Sequence, residues 1–301
     1  MKNLLLTGAS GMLGTAIAQH FRHQKLYHVT ATARNTSPFI SADKYISADL
    51  ARSQDIEKLS AFEYDVIIHT AALTNLEKCE QDHDLTDLMH IAATEELAQR
   101  NSESLFIYIS TDSVFDGKSG AYSENDKPNP LNYYSYTKLM GEDAVNKQSN
   151  HHYILRTNMY GFHRPARRAL FEWGYQSLAQ GKEISGFTDV VFNPLYVGQL
   201  AEVIEQLITV NPPNEIYNAT ADESMSKFEF LQRCAEKFDL STDLVLESRL
   251  SKLSNNKSSV VRPHRTFLRN EKIRHYLPEI NLSFDAGINM LYDDFLSFNK
   301  A

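Results

Sequence analysis

The chain lacks the features that would mark several broad classes of protein. It has two cysteines, Cys79 and Cys234, far apart and outside any C-x-x-C pair. A disulfide framework or a cysteine-based zinc site is therefore not expected. Its eleven histidines form no H-E-x-x-H or H-x-x-x-H pattern, so no catalytic metal is expected. Basic residues are outnumbered, 30 against 38 acidic, giving a formal net charge of -8. That balance argues against a nucleic-acid binder, which would need a basic surface. No apolar run approaches the roughly 18 residues of a membrane span. Leu4-Leu5-Leu6 is also too short for a secretion signal core and reads as a strand. A cytoplasmic protein is the default expectation. No internal repeat and no clear linker interrupts the chain.

What is present is an ordinary globular composition, 42% hydrophobic and 23% charged, over 301 residues. That length suits one large domain or two sharing a core. Short apolar runs alternate with helical stretches through the first half. Strands are predicted at 4–6, 29–33, 45–46, 66–69, 105–109 and 153–156. Helices are predicted over 15–22, 79–100 and 134–145. Such alternation implies an α/β fold with a doubly wound parallel Rossmann sheet. Ligands then sit at the carboxyl ends of its strands. The predicted division is a dinucleotide-binding domain over 1–160 and a smaller, mainly substrate-binding region over 161–301. Segments near 187–220 are expected to return to the sheet. Helices are expected over 169–180, 196–208 and 227–238, and a strand over 215–218. The polar stretch 251–259 reads as a mobile surface loop.

Gly8-Ala9-Ser10-Gly11-Met12-Leu13-Gly14 follows the first strand and opens a helix. Glycines there permit a tight turn and close approach of a pyrophosphate, and the helix N-terminus supplies free amides. Gly8, Ser10, Gly11, Met12, Leu13 and Gly14 are the predicted phosphate cradle. The second strand ends Thr32-Ala33-Arg34-Asn35, without the acid that would hold a ribose hydroxyl. Arg34 is placed to meet a 2′-phosphate, which favours NADP, with NAD as the alternative. Asp49 and Leu50, after the third strand, are candidates for the adenine.

Tyr134 and Lys138 are four residues apart, one turn along one helix face. A free tyrosine has a pKa near ~10, so acid–base work near neutrality needs about 4 kcal/mol of help. An ammonium about 4 Å away at an effective dielectric of ~20 supplies roughly that amount. Ser110-Thr111-Asp112 ends the fifth strand, where Thr111, with Ser110 second, can polarise a substrate oxygen. Thr111, Tyr134 and Lys138 are thus the candidate catalytic set.

Three segments resemble the extended short-chain dehydrogenase/reductases, and within them the dTDP-4-dehydrorhamnose reductase-like branch. They are Thr7 to Gly14, Ser110 to Gly117, and Pro128-Asn129-Pro130-Leu131 through Gly141-Glu142. The resemblance implies hydride transfer from a nicotinamide to the C4 carbonyl of a nucleotide sugar. It implies Tyr134 as proton donor, Lys138 as its tuner and ribose ligand, and Thr111 as carbonyl orienter. It adds Ala71 and Ala72 to the cofactor site and Thr74, Asn158 and Arg262 to the substrate site. The related 4,6-dehydratases carry Glu where this chain has Ser113, so dehydration is not expected. Two departures stand out. His90 occupies a position usually held by Asn, and Phe187-Thr188-Asp189-Val190 with Asn193-Pro194 replaces the usual stretch near the sugar. Arg164, Arg167 and Arg168 form a basic cluster that can steer a diphosphate. The same branch includes the regulatory subunit of methionine adenosyltransferase, so a non-catalytic NADP-binding subunit is the alternative reading. A nucleotide-sugar epimerase is the third. A homodimer is a further expectation.

Overall fold

The computed structural model describes residues 1–35, 37–252 and 260–300, less the side chains of Lys252, Asn299 and Lys300. Leu4, Leu5 and Leu6 lie in strand β1 (Lys2–Thr7) and are fully buried. Side chains alternate across a strand, so Leu4 and Leu6 enter one apolar layer and Leu5 the other. A strand apolar on both faces belongs in the middle of a parallel sheet, and β1 sits there. The other strands are β2 (Tyr27–Ala33), β3 (Lys44–Ser47), β4 (Val66–His69), β5 (Leu105–Ile109), β6 (His151–Arg156) and β7 (Glu215–Asn218). Their spatial order is β7-β6-β5-β4-β1-β2-β3, with every pairing parallel. This is the doubly wound sheet the sequence predicts, and its switch point falls between β1 and β4.

The two layers follow from which helices cover which face. On one side lie α1 (Met12–Gln24) and α8 (Val197–Val210), which supply Ile17, Phe21, Leu200 and Leu207. On the other lie α2 (Ser53–Leu59), α5 (Ala93–Arg100) and α6 (Tyr133–Gln148), which supply Ile56, Leu97 and Val145. The remaining helices are α3 (Leu76–Gln81), α4 (His83–Asp87), α7 (Leu170–Ala179), α9 (Lys227–Lys237), α10 (Glu271–Tyr276) and α11 (Phe284–Lys300). Beyond β6, α7 and α9 carry short paired strands, Ile184–Phe187 with Val245–Ser248 and Val191–Phe192 with Met225–Ser226. No helix among the described residues is long and apolar enough to cross a membrane.

The single long helix expected over 79–100 is three pieces and a wide turn. α3 stops at Asp82, whose backbone leaves helical geometry (φ -137°) and whose carboxylate then accepts the Leu85 N–H. Aspartate is a strong helix N-cap, and here it starts a new helix rather than continuing the old one. A π-helical turn, Leu88–Ala92, then separates α4 from α5 and carries His90 at its centre. Such turns inside helices are often found at functional sites. Of the loop predicted over 251–259, residues 253–259 lie outside the described residues.

Candidate active site

One cleft of about 720 Å³ runs along the carboxyl ends of the sheet strands. It begins at the glycine turn. Gly8 has φ +69°, and a Cβ there would come within 2.6 Å of Thr70 Oγ1. A Cβ on Gly14 would lie 2.2 Å from the Gly8 carbonyl oxygen. No side chain caps the start of α1, so its first amides and the positive end of its dipole face the cleft. Of the residues singled out from sequence, Gly8, Ser10, Gly11, Met12, Leu13, Gly14, Arg34, Leu50, Ala71, Ala72, Thr74, Thr111, Tyr134, Lys138 and Asn158 all line it. Arg164 and Arg167 line it too.

Three of the predicted binding residues do not. Asp49 turns into the connection ahead of α2, where its carboxylate accepts the Ala51 N–H at 3.2 Å. Arg262 pairs with Glu77 at 3.0 Å, both side chains about half exposed. Arg168 also lies outside the lining.

The chemistry-bearing groups converge from different elements. Asn132 caps α6 by accepting the Ser135 N–H at 2.9 Å, which fixes where the helix starts and so where Tyr134 and Lys138 project. Thr111 follows β5, and its hydroxyl accepts the Ser113 N–H at 3.1 Å and lines the cleft beside Tyr134. Thr111 also donates to Asp112 at 3.2 Å. The Asp112 carboxylate is buried and further receives Thr266, Asn158 and Ser113. Burial raises its pKa against the pull of those four donors.

Lys138 and Tyr134 do not behave as the simple pair argument expects. Burial pulls Lys138 down to about 7, opposed by Glu142. Its Nζ sits 3.9 Å above the Tyr108 ring. Tyr134 goes up rather than down, through its surroundings first and then through Asp112 and Cys79. One ammonium nearby is outweighed by the burial of both groups and by the carboxylate behind Thr111.

His90 does more than occupy a helix face. It is 1% exposed. Its Nε2 accepts the Leu73 N–H at 2.9 Å and its Nδ1 meets Thr137 Oγ1 at 2.8 Å. An accepting Nε2 leaves the proton on Nδ1, so Nδ1 donates to Thr137, whose hydroxyl donates to the Tyr133 and Tyr134 carbonyls. His69 continues the pattern, between Thr7 at 2.8 Å and Thr94 at 3.2 Å. Both rings are neutral; burial and then Lys138 bring each down to about 3.

Several contacts of this neighbourhood carry no sequence signal. Glu142 accepts two bonds from Arg156, at 3.0 and 2.7 Å, and one from Ser110, all buried. Lys227 is pulled down by burial and Arg262 and raised by Asp112. Thr266 reaches Asp112 from far along the chain. Glu142 closes the third resembling segment, but its buried partners, and the parts played by Lys227 and Thr266, follow from no local motif.

The family model described as "RmlD substrate binding domain" matches residues 1–296. The chain is similar to methionine adenosyltransferase 2 subunit beta of Danio rerio, 27% identical over 245 residues, covering 79% of this chain and 75% of that one. It is also similar to a probable low-salt glycan biosynthesis reductase of Haloferax volcanii, 26% identical over 269 residues, covering 87% and 88%. Its fold matches the crystal structure of dTDP-4-dehydrorhamnose reductase from Bacillus anthracis in complex with NADP. That match has a TM-score of 0.83 at 22% identity and covers 97% and 99% of the chains.

Proposed function

The chain belongs to the RmlD substrate-binding-domain family, and from that premise we propose that it catalyses the NADP-dependent reduction of a 4-keto nucleotide sugar. One observation carries the reading: Thr111, Tyr134 and Lys138 share a cleft with the uncapped glycine turn. The residues present fit a phosphorylated dinucleotide. The amides around Gly11–Leu13 would hold the pyrophosphate, exposed Arg34 the 2′-phosphate and Leu50 the adenine, and Ala71, Ala72 and Lys138 would hold the nicotinamide end. Asp49 takes part only if its turn reorganises, so the adenine contact falls to Leu50. When bound, the nicotinamide supplies the hydride.

The chain's own residues handle the oxygen that receives the proton. Thr111 orients the carbonyl, and Tyr134 donates its hydroxyl proton to that oxygen. A tyrosine raised above its ordinary pKa stays protonated at neutral pH. It gives its proton only to a strongly basic oxygen, such as an alkoxide formed from a carbonyl, which suits reduction better than oxidation. Thr74 and Asn158 are the sugar-side contacts. Arg262 joins them from the cleft rim if it leaves Glu77.

We assign the dinucleotide to residues 1–160 and the sugar mainly to 161–301. The return of Glu215–Asn218 to the sheet supports a segment near 187–220 rejoining the first part. Leu88 and Tyr136, 40% and 44% exposed on adjoining helical segments, support a homodimer across that face. The free, buried Cys79 and Cys234 suit a reducing cytoplasm.

The test is loss of NADPH absorbance with a panel of 4-keto nucleotide sugars. Tyr134→Phe should lose about 10²-fold or more in turnover while still binding NADPH. Undiminished turnover by that variant would refute the assigned donor. The similarity to a methionine adenosyltransferase beta subunit favours a second reading, a non-catalytic partner subunit. Wild-type protein that binds NADPH yet reduces no substrate of the panel would favour it.

A further inference from the structure

Residues 161–168 follow the short strand Met159–Tyr160, which pairs with Leu195–Tyr196 beyond β6, and cross the start of α1. Gly161 packs there so closely that a Cβ would lie 3.3 Å from Met12 Sδ and 2.8 Å from Val197. The crossing segment is organised by one buried carboxylate. Glu172 accepts the His163 N–H at 2.9 Å, His163 Nδ1 at 2.8 Å, the Arg167 N–H at 2.8 Å and the Ala169 N–H at 3.1 Å. Its side chain is 3% exposed. Four donors converging on one buried acceptor hold a segment that has no regular structure of its own.

That segment delivers cations to the cleft. The Arg164 guanidinium lies 5.1 Å from the Phe162 ring centre and 4.7 Å from that of Phe298. Its Nη1 is 3.5 Å from Gln19 Oε1 on α1. Arg164 is therefore held over the same helix whose N-terminus opens the cleft. Arg167 is exposed at the cleft margin. Among the described residues, no ion pair uses either arginine. Among the described residues, the cleft is lined by Arg34, Lys138, Arg164 and Arg167, against the single carboxylate of Asp112. A concentration of cations in a chain of net charge -8 marks a site for an anion of several charges.

We propose that residues 161–168 form a phosphate clamp, with Arg164 and Arg167 binding the dinucleotide pyrophosphate across from the amides of α1. This rests on the dinucleotide reading above and adds a binding element to it. Two diphosphates could use such cations, the cofactor's and a sugar nucleotide's. Packing of Gly161 on Met12 favours the cofactor, because Met12 opens the helix that follows the glycine turn.

The experiment is isothermal titration of NADPH, NADH and dTDP into wild type, Arg167→Gln, Arg164→Lys and the Arg164→Gln/Arg167→Gln double variant. The double variant should bind NADPH and NADH more weakly by the same factor, about 10-fold to 100-fold. Arg164→Lys should lose less, since it keeps the charge. Arg167→Gln removes no packing, so it carries the test if the double variant does not fold. Unchanged dinucleotide affinity overturns the clamp. Loss confined to NADPH places the arginines on the 2′-phosphate and overturns the pyrophosphate assignment, and loss confined to dTDP assigns them to the substrate instead. Wild-type protein that bound neither dinucleotide would sink the dinucleotide reading itself, and the clamp with it.

Discussion

His90 offers the sharpest test of the site's electrostatics. In the folded chain its pKa is brought down to about 3 from an ordinary 6.5, by burial and then by Lys138. The sign follows from proton counting. Above pH 6.5 the ring is neutral folded and unfolded, and its contribution to stability is whole. As pH falls from 6.5 toward 3 the unfolded chain takes a proton that the folded chain refuses, so stability drops. The slope is about 1.4 kcal/mol per pH unit. At pH 5 His90 alone should cost about 2 kcal/mol, and His69, brought down to the same level, a similar amount. His90→Asn removes the titrating group and keeps one polar end for Leu73 or Thr137. Its stability should therefore fall less than wild type between pH 7.5 and 5, by about 2 kcal/mol. His90→Leu leaves the Leu73 N–H and the Thr137 hydroxyl without their partner and should lose about 2–4 kcal/mol at pH 7.5. Urea unfolding followed by circular dichroism at both pH values measures all three. If His90→Asn and wild type lose stability in parallel, or if the His90 ring titrates near 6.5 by NMR, the reading of His90 as a buried neutral ring fails.

Three further outcomes are expected. Lys138, held near 7 by burial, should take up close to one proton when an anionic dinucleotide binds at about pH 8; titration in buffers of different ionisation enthalpy reads this, and buffer-independent heats would contradict it. Arg156→Met strands the Glu142 carboxylate in the interior and should cost about 3–5 kcal/mol, part of which Glu142→Gln added to it should restore; a double variant no more stable than the single one would argue against a buried pair. Arg34→Ala should weaken NADPH by about 10-fold or more and leave NADH unchanged, and equal loss for both would remove Arg34 from the 2′-phosphate.

The parts of this site legible in the sequence are those whose chemistry demands a fixed local spacing. The glycine turn must sit between a strand and a helix, and Tyr134 and Lys138 must lie one helical turn apart. Burial on both faces likewise made Leu4, Leu5 and Leu6 readable as a central strand. What stayed hidden depends on partners distant along the chain. His90 gains its role from Leu73 and Thr137, and Asp112 is completed by Thr266. Glu172 collects four donors no motif announces. The break at Asp82 could have been suspected from its capping preference, but the π turn at Leu88–Ala92 has no sequence signature, so one helix was expected where several pieces stand.

The failed expectation about Tyr134 shows how the site's charges are balanced. Lys138, His69 and His90 lie close enough to perturb one another, and burial disfavours the charged form of each. Near neutral pH the two rings are uncharged and Lys138 is poised at its midpoint. Glu142 pulls the ammonium back toward its charged form, but its carboxylate is already shared with Arg156 and Ser110. An incoming anion changes this balance in one direction only. Its negative charge raises Lys138, and a fully charged Lys138 then draws Tyr134 down against Asp112 and burial. The tuning of tyrosine by lysine is thus a property of the complex rather than of the isolated pair. It follows that replacing Lys138 with Met should leave the Tyr134 pKa of the free protein almost unmoved and raise it in the dinucleotide complex. Ultraviolet difference titration of the phenol measures both states, and an equal shift in the two would refute the coupling.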